Sequence, residues 1–289
     1  MRGRGQSPGT VTTAGFRALV RPPGGSMHHN DTTTTTTTKD TMNSTGPDRN
    51  HPNFCSQCNV VHREAITDLD NRVRAERERR AHRKRRMIIA PHCDDESLGC
   101  GGLIAKYPRE CTVVVLAEPD EVRRKEFDAA RSILGYQDAI FLDLPDGYVG
   151  ADMHQLVGHL DRLTAQVQPD ELYLPYPSMH QDHVAGYEAG VRASRLSMSE
   201  GHWFTPSVFV YDVAAYDLNL YPTDLKWNTF ESLTHEEVYA KAEAVAHYAS
   251  QQVLTPHPAN SIRQQARSLG AARQVQWAEQ YSMIRAVRA

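Results

Sequence analysis

The segment MIIAPHCDDESLGCGG (Met87–Gly102) decides the fold of this chain. Met87–Ala90 is a short apolar run, and a histidine, a cysteine and three acids follow it within six residues. The glycines and apolar residues after the acids predict a turn and a helix that reaches about Tyr107. A buried strand that ends in polar residues and leads into a helix is a typical unit of an α/β protein.

The alternation of strand and helix continues along the chain. Continuous apolar runs predict strands that are covered on both faces. These predicted strands are Met87–Ala90, Cys111–Ala117, Ala139–Leu142, Glu171–Leu174 and Ser207–Val213. The remaining predicted helices are Glu121–Leu134, Asp152–Val167, His183–Leu196, Thr234–Gln252 and Ala259–Val287. This order predicts an α/β fold over residues 86–289, a Rossmann-like parallel sheet covered by helices on both faces.

Composition restricts the class of protein. The chain has 289 residues, of which 40% are hydrophobic and 23% charged, as in a globular protein that buries a core. No run approaches the roughly 18 consecutive apolar residues of a membrane span, and no charged segment with a following apolar one predicts a secretory signal. Five cysteines without disulfide spacing favour a reducing compartment, so we expect a cytoplasmic protein.

The amino-terminal part of the chain differs from the rest in charge. Residues 1–86 carry 16 Lys and Arg against 8 Asp and Glu, whereas the remainder carries 16 against 27. Residues 1–50 are rich in Gly, Pro, Thr, Ser and Asn, and include a run of threonine over 32–38. This composition predicts a disordered basic arm.

Residues 51–85 contain two further patterns, each with two interpretations. Four side chains could hold the zinc of a small knuckle, or belong to a flexible arm with free thiols: His51, Cys55, Cys58 and His62. Residues 64–86 predict a charged helix with nine basic residues between 72 and 86. That helix is either a solvated face or a weak contact for a polyanion such as a nucleic acid.

Two clusters of metal-ligand side chains follow the first and fourth predicted strands. The first cluster is His92, Asp94, Asp95 and Glu96, and the second is His180, Asp182 and His183. The carboxyl ends of parallel strands lie at one edge of a sheet, so we expect the clusters to meet there. Two imidazoles and a carboxylate around zinc leave one position for water, as in catalytic zinc sites. Helix capping by the aspartates is the alternative, but it does not account for the histidines.

The two clusters carry a resemblance to a known family. PHCDDE at Pro91–Glu96 resembles the (A/P)-H-P-D-D-E motif of the PIG-L / LmbE-like zinc de-N-acetylases, and HQDH at His180–His183 resembles their H-x-D-H motif. Supporting matches are the glycines after the first motif, LPDG at Leu144–Gly147 and WAEQY at Trp277–Tyr281. The resemblance covers about residues 86–289 and implies a single catalytic domain that binds one zinc ion.

The resemblance also implies a role for each matching residue. The zinc ligands would be His92, Asp95 and His183. Asp94 would be the general base that activates the attacking water. His180 would stabilise the tetrahedral intermediate or act as general acid, and Asp182 would orient an adjacent imidazole. Arg123 and Asp146 match positions that bind sugar hydroxyls.

The implied activity is removal of acetyl from an N-acetylated amino sugar, such as an N-acetylglucosamine conjugate, with release of acetate and a free amine. Two alternatives stay open. One is a metal-dependent amidase that acts on a sugar conjugate or on an N-acylated nucleic-acid group. The other is a nucleic-acid-binding protein whose deacetylase-like domain is inert. The residues leave open the identity of the acetylated substrate, the oligomeric state and the role of Cys93, which replaces the proline of the motif.

Overall fold

The structure is a computed structural model, and it describes residues 83–213, 222–251 and 258–287. The strands in these ranges are β1 (Arg86–Ala90), β2 (Cys111–Ala117), β3 (Asp138–Leu144), β4 (Glu171–Pro175), β5 (Ser207–Tyr211), β6 (Thr229–Leu233) and β7 (Trp277–Ala286). The α-helices are α1 (Asp95–Lys106), α2 (Glu121–Leu134), α3 (Met153–Val167), α4 (Gln181–Ala193), α5 (His235–Ala246) and α6 (Pro258–Ala271). A short 3-10 helix spans Ala249–Gln251.

The predicted α/β class is confirmed. The described strands form one sheet in the order β3-β2-β1-β4-β5-β7-β6, and the first five strands pair in parallel. Successive side chains of a strand point to opposite faces of the sheet. Accordingly, Ile88 and Ala90 of β1 pack in one core with α1, α2 and α5, and Met87 and Ile89 pack in the other with α3 and α4. Helices thus cover both faces, as the continuous apolar runs predicted.

The carboxyl-terminal part of the sheet corrects the prediction of a wholly parallel sheet. β7 runs antiparallel to both β5 and β6. The helix predicted over Ala259–Val287 is therefore wrong beyond Ala271. Gly270 lies where the chain turns back, so close that a Cβ there would be 2.7 Å from the backbone nitrogen of Trp277. β7 contains several helix-favouring residues, but its pairing with a strand on each side outweighs that local preference.

Local signals fix two helix ends. Gly135 adopts a φ of 80° and ends α2, as its position in the sequence predicted. Thr234 caps α5, because its side chain accepts the backbone N–H of Glu237 and the Glu237 carboxylate accepts the backbone N–H of Thr234. α5 ends at Ala246, before the predicted Gln252. No described helix is long and apolar enough to cross a membrane.

The predictions for the amino-terminal region fall mostly outside the described residues. The arm over 1–50, the four candidate zinc ligands between 51 and 62, and the charged helix up to residue 82 all lie there. Residues 83–85 are not helical and Arg86 begins β1, so the helix predicted over 64–86 is wrong at its end. Lys84 and Arg86 pair with Glu171, and Arg85 pairs with Asp170. These three cations therefore pair with acids of the domain itself.

Candidate metal centre

The two clusters meet at the carboxyl ends of the neighbouring strands β1 and β4. The ring centroid of His92, which follows β1, lies 4.7 Å from that of His180 and 5.6 Å from that of His183, in the segment after β4. Each of these imidazoles places one nitrogen within 4.8 Å of the others. Strand order predicted that the two clusters share one edge of the sheet, and the structure places them there.

Asp95 contacts a histidine from each cluster. Its Oδ2 lies 3.4 Å from Nδ1 of His92 and 3.4 Å from Nε2 of His183. This separation is longer than a good hydrogen bond. It matches the roughly 3.3 Å between two ligands of a tetrahedral zinc with bonds of about 2.0–2.1 Å. The donor set of two imidazole nitrogens and one carboxylate oxygen thus fits zinc in type, and Asp95 lies at a suitable distance from each of the two imidazoles.

The other side of the His92 ring faces two carboxylates. Its Nε2 lies 3.2 Å from Oδ2 of Asp182 and 3.2 Å from Oδ1 of Asp146. Asp182 is fully buried and is held by the backbone N–H groups of Gly147 at 2.7 Å and Val149 at 3.0 Å. A metal-binding histidine usually donates its second ring N–H to such a carboxylate. The arrangement leaves Nδ1 of His92 for a metal.

These carboxylates also set the charge of the site. Burial lowers the pKa of His92, but Asp95, Asp146 and Asp182 outweigh it and raise that pKa to about 9. Burial alone would raise the pKa of Asp95. The neighbouring His183 and His92 outweigh burial and hold the pKa of that carboxyl well below its usual range. Acidic groups thus outnumber basic ones at the centre, which favours a bound cation.

Asp94 occupies the N-cap position of α1 without capping the helix. Its φ is 136°, and its side chain makes no hydrogen bond to the first turn, so the capping alternative is wrong for this residue. The carboxylate is largely buried, 3.8 Å from Nη2 of Arg123. Burial and the charge of Asp95 raise the pKa of Asp94 well above its usual value, although Arg123 opposes the rise. A raised pKa next to a metal centre suits a general base.

The protonation of His180 follows from the helix that it caps. Its Nδ1 accepts the backbone N–H of Asp182 at 3.2 Å, and for this reason α4 begins at Gln181 and not at the predicted His183. Burial and the neighbouring His92 lower the pKa of His180 below 6.5. A neutral imidazole whose Nδ1 is an acceptor carries its proton on Nε2. His180 can therefore donate a hydrogen bond from Nε2.

Cys93, the departure from the motif, is a core residue. Its side chain is buried in the cluster that packs against α1 and α2. Burial, followed by the charges of Glu96 and Asp94, raises the pKa of the Cys93 thiol. The thiolate that a metal would require is therefore disfavoured.

One contact near the site had no signal in the sequence. The hydroxyl of Tyr248 donates to Oε1 of Glu96 at 2.8 Å, across 152 residues of chain. No motif surrounds Tyr248, and only tertiary packing brings it to the start of α1.

The family comparison agrees with the motifs. Residues 87–194 match the family model described as PIG-L: GlcNAc-PI de-N-acetylase. This match confirms the resemblance to the PIG-L / LmbE-like de-N-acetylases that the two motifs carry. A similar curated protein is the 1D-myo-inositol 2-acetamido-2-deoxy-alpha-D-glucopyranoside deacetylase of Kineococcus radiotolerans, 26% identical over 184 residues. The match covers 46% of this chain and spans about half, 51%, of that relative.

Solved structures of the same fold include proteins with different reactions. The N,N'-diacetylchitobiose deacetylase of Pyrococcus horikoshii superposes with a TM-score of 0.55 at 20% identity, covering 70% of this chain and 84% of the other. GalB of Pseudomonas putida KT2440, a 4-carboxy-2-hydroxymuconate hydratase, gives a TM-score of 0.57 at 20% identity, covering 71% and 98%. These likenesses establish the fold, and the reaction has to be argued from the site.

Proposed function

We propose that this protein is a zinc-dependent hydrolase that removes the acetyl group from an N-acetylated amino-sugar conjugate and releases acetate and a free amine. One observation carries the proposal. Oδ2 of Asp95 lies 3.4 Å from a nitrogen of His92 and 3.4 Å from a nitrogen of His183, next to a largely buried carboxylate, Asp94, that makes no capping bond.

His92 through Nδ1, Asp95 through Oδ2 and His183 through Nε2 would hold the zinc. When bound, the ion would lower the pKa of the attacking water and polarise the acetamide carbonyl. Asp182 keeps the His92 ring in the orientation that presents Nδ1, because the buried carboxylate lies 3.2 Å from Nε2. Asp182 thus acts through His92 and has no contact with substrate in this proposal.

Asp94 accepts the proton of the attacking water. Its raised pKa brings the carboxylate closer to the working pH, where it is a stronger base than an exposed aspartate. The C–N bond of the amide breaks after water has added, and the proton held by Asp94 passes to the departing nitrogen. The immediate products are then acetic acid and an amine, Asp94 is again ionised, and the acid passes its proton to the amine to leave acetate and an ammonium group.

His180 stabilises the oxygen that becomes negative when water adds to the amide. Its Nδ1 is committed to the N–H of Asp182, so the donor that it presents is Nε2–H. A hydrogen bond that strengthens in the transition state typically contributes about 10²–10³ in rate.

Arg123 and Asp146 are our candidates for binding the sugar. Arg123 lies beside Asp94, and the Asp146 side chain is 62% exposed although one of its oxygens contacts His92. Asp146 therefore borders the proposed centre from a side open to solvent, and Arg123 lies next to the proposed base. The sugar class is supported by the names of the Kineococcus and Pyrococcus proteins, which act on acetylated glucosamine derivatives.

The test combines metal content with product analysis. Purified protein should contain about one equivalent of zinc, and a panel of N-acetylated sugar conjugates should yield acetate and a product lighter by one acetyl group. His183→Ala should lose both the metal and the activity. His202→Ala is the matched control, since His202 contacts the backbone oxygen of Arg195 and lies outside the centre. Zinc retained in His183→Ala, or no acetate from any conjugate with zinc bound, would contradict the proposal.

The nucleic-acid alternatives gain no support from the described residues. Lys84, Arg85 and Arg86, the last cations of the basic run, pair with acids of the domain. A cytoplasmic location remains our proposal, supported by the three described cysteines, Cys93, Cys100 and Cys111, which are buried free thiols.

A further inference from the structure

Glu96 is a buried carboxylate that the proposed chemistry does not use. It is completely inaccessible to solvent. Oε1 accepts the hydroxyls of Ser97 at 2.7 Å and Tyr248 at 2.8 Å, and Oε2 accepts the backbone N–H of Asp94 at 3.1 Å. These three donors are neutral. Burying a carboxylate among neutral groups is unfavourable, and that points to a role beyond packing.

The backbone of Asp94 is in a conformation that needs support. Its φ of 136° with ψ of −29° is rarely adopted by a residue with a Cβ. Such conformations persist only where the surrounding structure holds them. The Asp94 carbonyl accepts the N–H of Leu98 at 2.8 Å, the ordinary first bond of a helix. The bond from the Asp94 N–H to Glu96 is the additional restraint at this position.

We propose that Glu96 is the positioning residue for the catalytic base. Held by Ser97 and Tyr248, its carboxylate fixes the backbone of Asp94 and thereby directs the Asp94 side chain at the attacking water. The inference rests on the proposed function in so far as Asp94 is the base. Glu96 itself does not reach the substrate, because both of its oxygens are engaged within the protein.

The support for Glu96 comes from two helices that pack beside α1. Tyr248 lies two residues after the end of α5. Two residues further on, the backbone N–H and the hydroxyl of Ser250 donate to the Glu126 carboxylate of α2, at 2.9 Å and 2.6 Å. The segment that carries Tyr248 is thus tied to α2, and the position of Asp94 depends on contacts outside its own loop.

The first test is Glu96→Gln, which keeps the shape of the side chain but replaces one acceptor oxygen with a donor. The amide cannot accept both the hydroxyls and the Asp94 N–H. We expect kcat to fall about 10- to 100-fold with KM within about twofold and zinc content unchanged. Tyr248→Phe should act in the same direction with a smaller loss. Tyr173→Phe is the matched control, since it removes an equivalent buried bond, to Glu171 at 2.9 Å, and should leave kcat unchanged.

A second test separates positioning from general destabilisation. If Glu96 acts through Asp94, adding Glu96→Gln to Asp94→Asn should cause no further loss of kcat, whereas a full additional loss would overturn the inference. Crystal structures of the zinc-loaded wild type and Glu96→Gln give a readout that needs no substrate. Asp94 should keep a positive φ in the wild type and leave it in the variant. A positive φ retained in Glu96→Gln would overturn the inference, whereas a wild type inactive on every conjugate would overturn only the proposed function.

Discussion

Replacement of Asp94 by asparagine separates proton transfer from metal binding. The variant keeps the size and shape of the side chain but removes the proton acceptor. None of the proposed ligand atoms, on His92, Asp95 and His183, is altered. Asp94 makes no capping bond, and its nearest described ionic partner is Arg123 at 3.8 Å, so the change breaks no short hydrogen bond of the side chain. We therefore expect full zinc content and a normal fold.

The expected loss of turnover follows from the proposed role of Asp94 as the base. General acid–base catalysis contributes about 10²–10⁴ in rate, so kcat should fall by that factor, a barrier increase of about 3–5 kcal/mol. The stability of the metal-free protein, in contrast, should increase at neutral pH. Burial and Asp95 raise the pKa of Asp94, and an acid whose pKa is raised by folding destabilises the fold as the pH rises above its unfolded value, near 3.8. Metal-free Asp94→Asn should therefore be more stable than the metal-free wild type at neutral pH.

Acetate release at saturating substrate measures the first effect, and thermal unfolding in the presence of a chelator at pH 4 and pH 7 measures the second. Asp152→Asn is the control, because Asp152 caps α3 at an exposed position where asparagine caps equally well. Near-normal turnover in zinc-loaded Asp94→Asn would show that another group takes the proton. A less stable metal-free variant at pH 7 would refute the argument from burial.

Two further predictions concern the metal and the packing of α1. Zinc affinity should weaken as the pH falls below about 9, because a proton on His92 competes with the metal. Zinc binding at pH 7 should therefore release about one proton. A zinc affinity that does not change with pH would contradict this prediction. Gly99→Ala should lower the free energy of unfolding by about 1–3 kcal/mol, since a Cβ would lie 2.0 Å from Cδ2 of Tyr211. Gly158→Ala should raise it by up to about 1 kcal/mol, since a Cβ there would meet only Nη1 of Arg162, at an ordinary contact distance of 3.7 Å. Denaturant unfolding compares the two variants, and equal effects would contradict the packing argument.

The sequence was informative where local pattern and tertiary structure agree. Met87–Ala90 of β1 and Val113–Ala117 of β2 are apolar because both of their faces are buried, and such runs can be recognised in a single sequence. β7 could not be recognised in this way. Glu279, its third residue, is buried, where it bonds to Lys241 at 2.7 Å and to the backbone N–H groups of Gly102 and Leu103. A charged residue inside a strand is favourable only through these distant partners.

The candidate site could also be predicted only in part from the sequence. The residue types and their place at the carboxyl ends of two strands follow from motifs and strand order. The hydrogen-bond partners of these residues do not follow from them. Asp182 is held by backbone groups of the loop after β3, and Glu96 is held by Tyr248 after α5. These contacts join segments far apart in the chain, and nothing in either segment alone encodes the other.

The fold does not choose the reaction, since a hydratase and a sugar deacetylase share it. Amide hydrolysis needs a proton acceptor for water and a donor for the oxygen that gains charge. In this chain the proposed acceptor, Asp94, follows β1, and the proposed donor, His180, follows β4. The register of these neighbouring strands pairs Arg86 with Glu171, and their side chains form a buried ion pair at 2.9 Å. A slip of one residue would break that pair and turn every side chain of β1 to the opposite core. The pair at the amino ends of the strands therefore helps to hold the proposed base and the proposed donor together at their carboxyl ends.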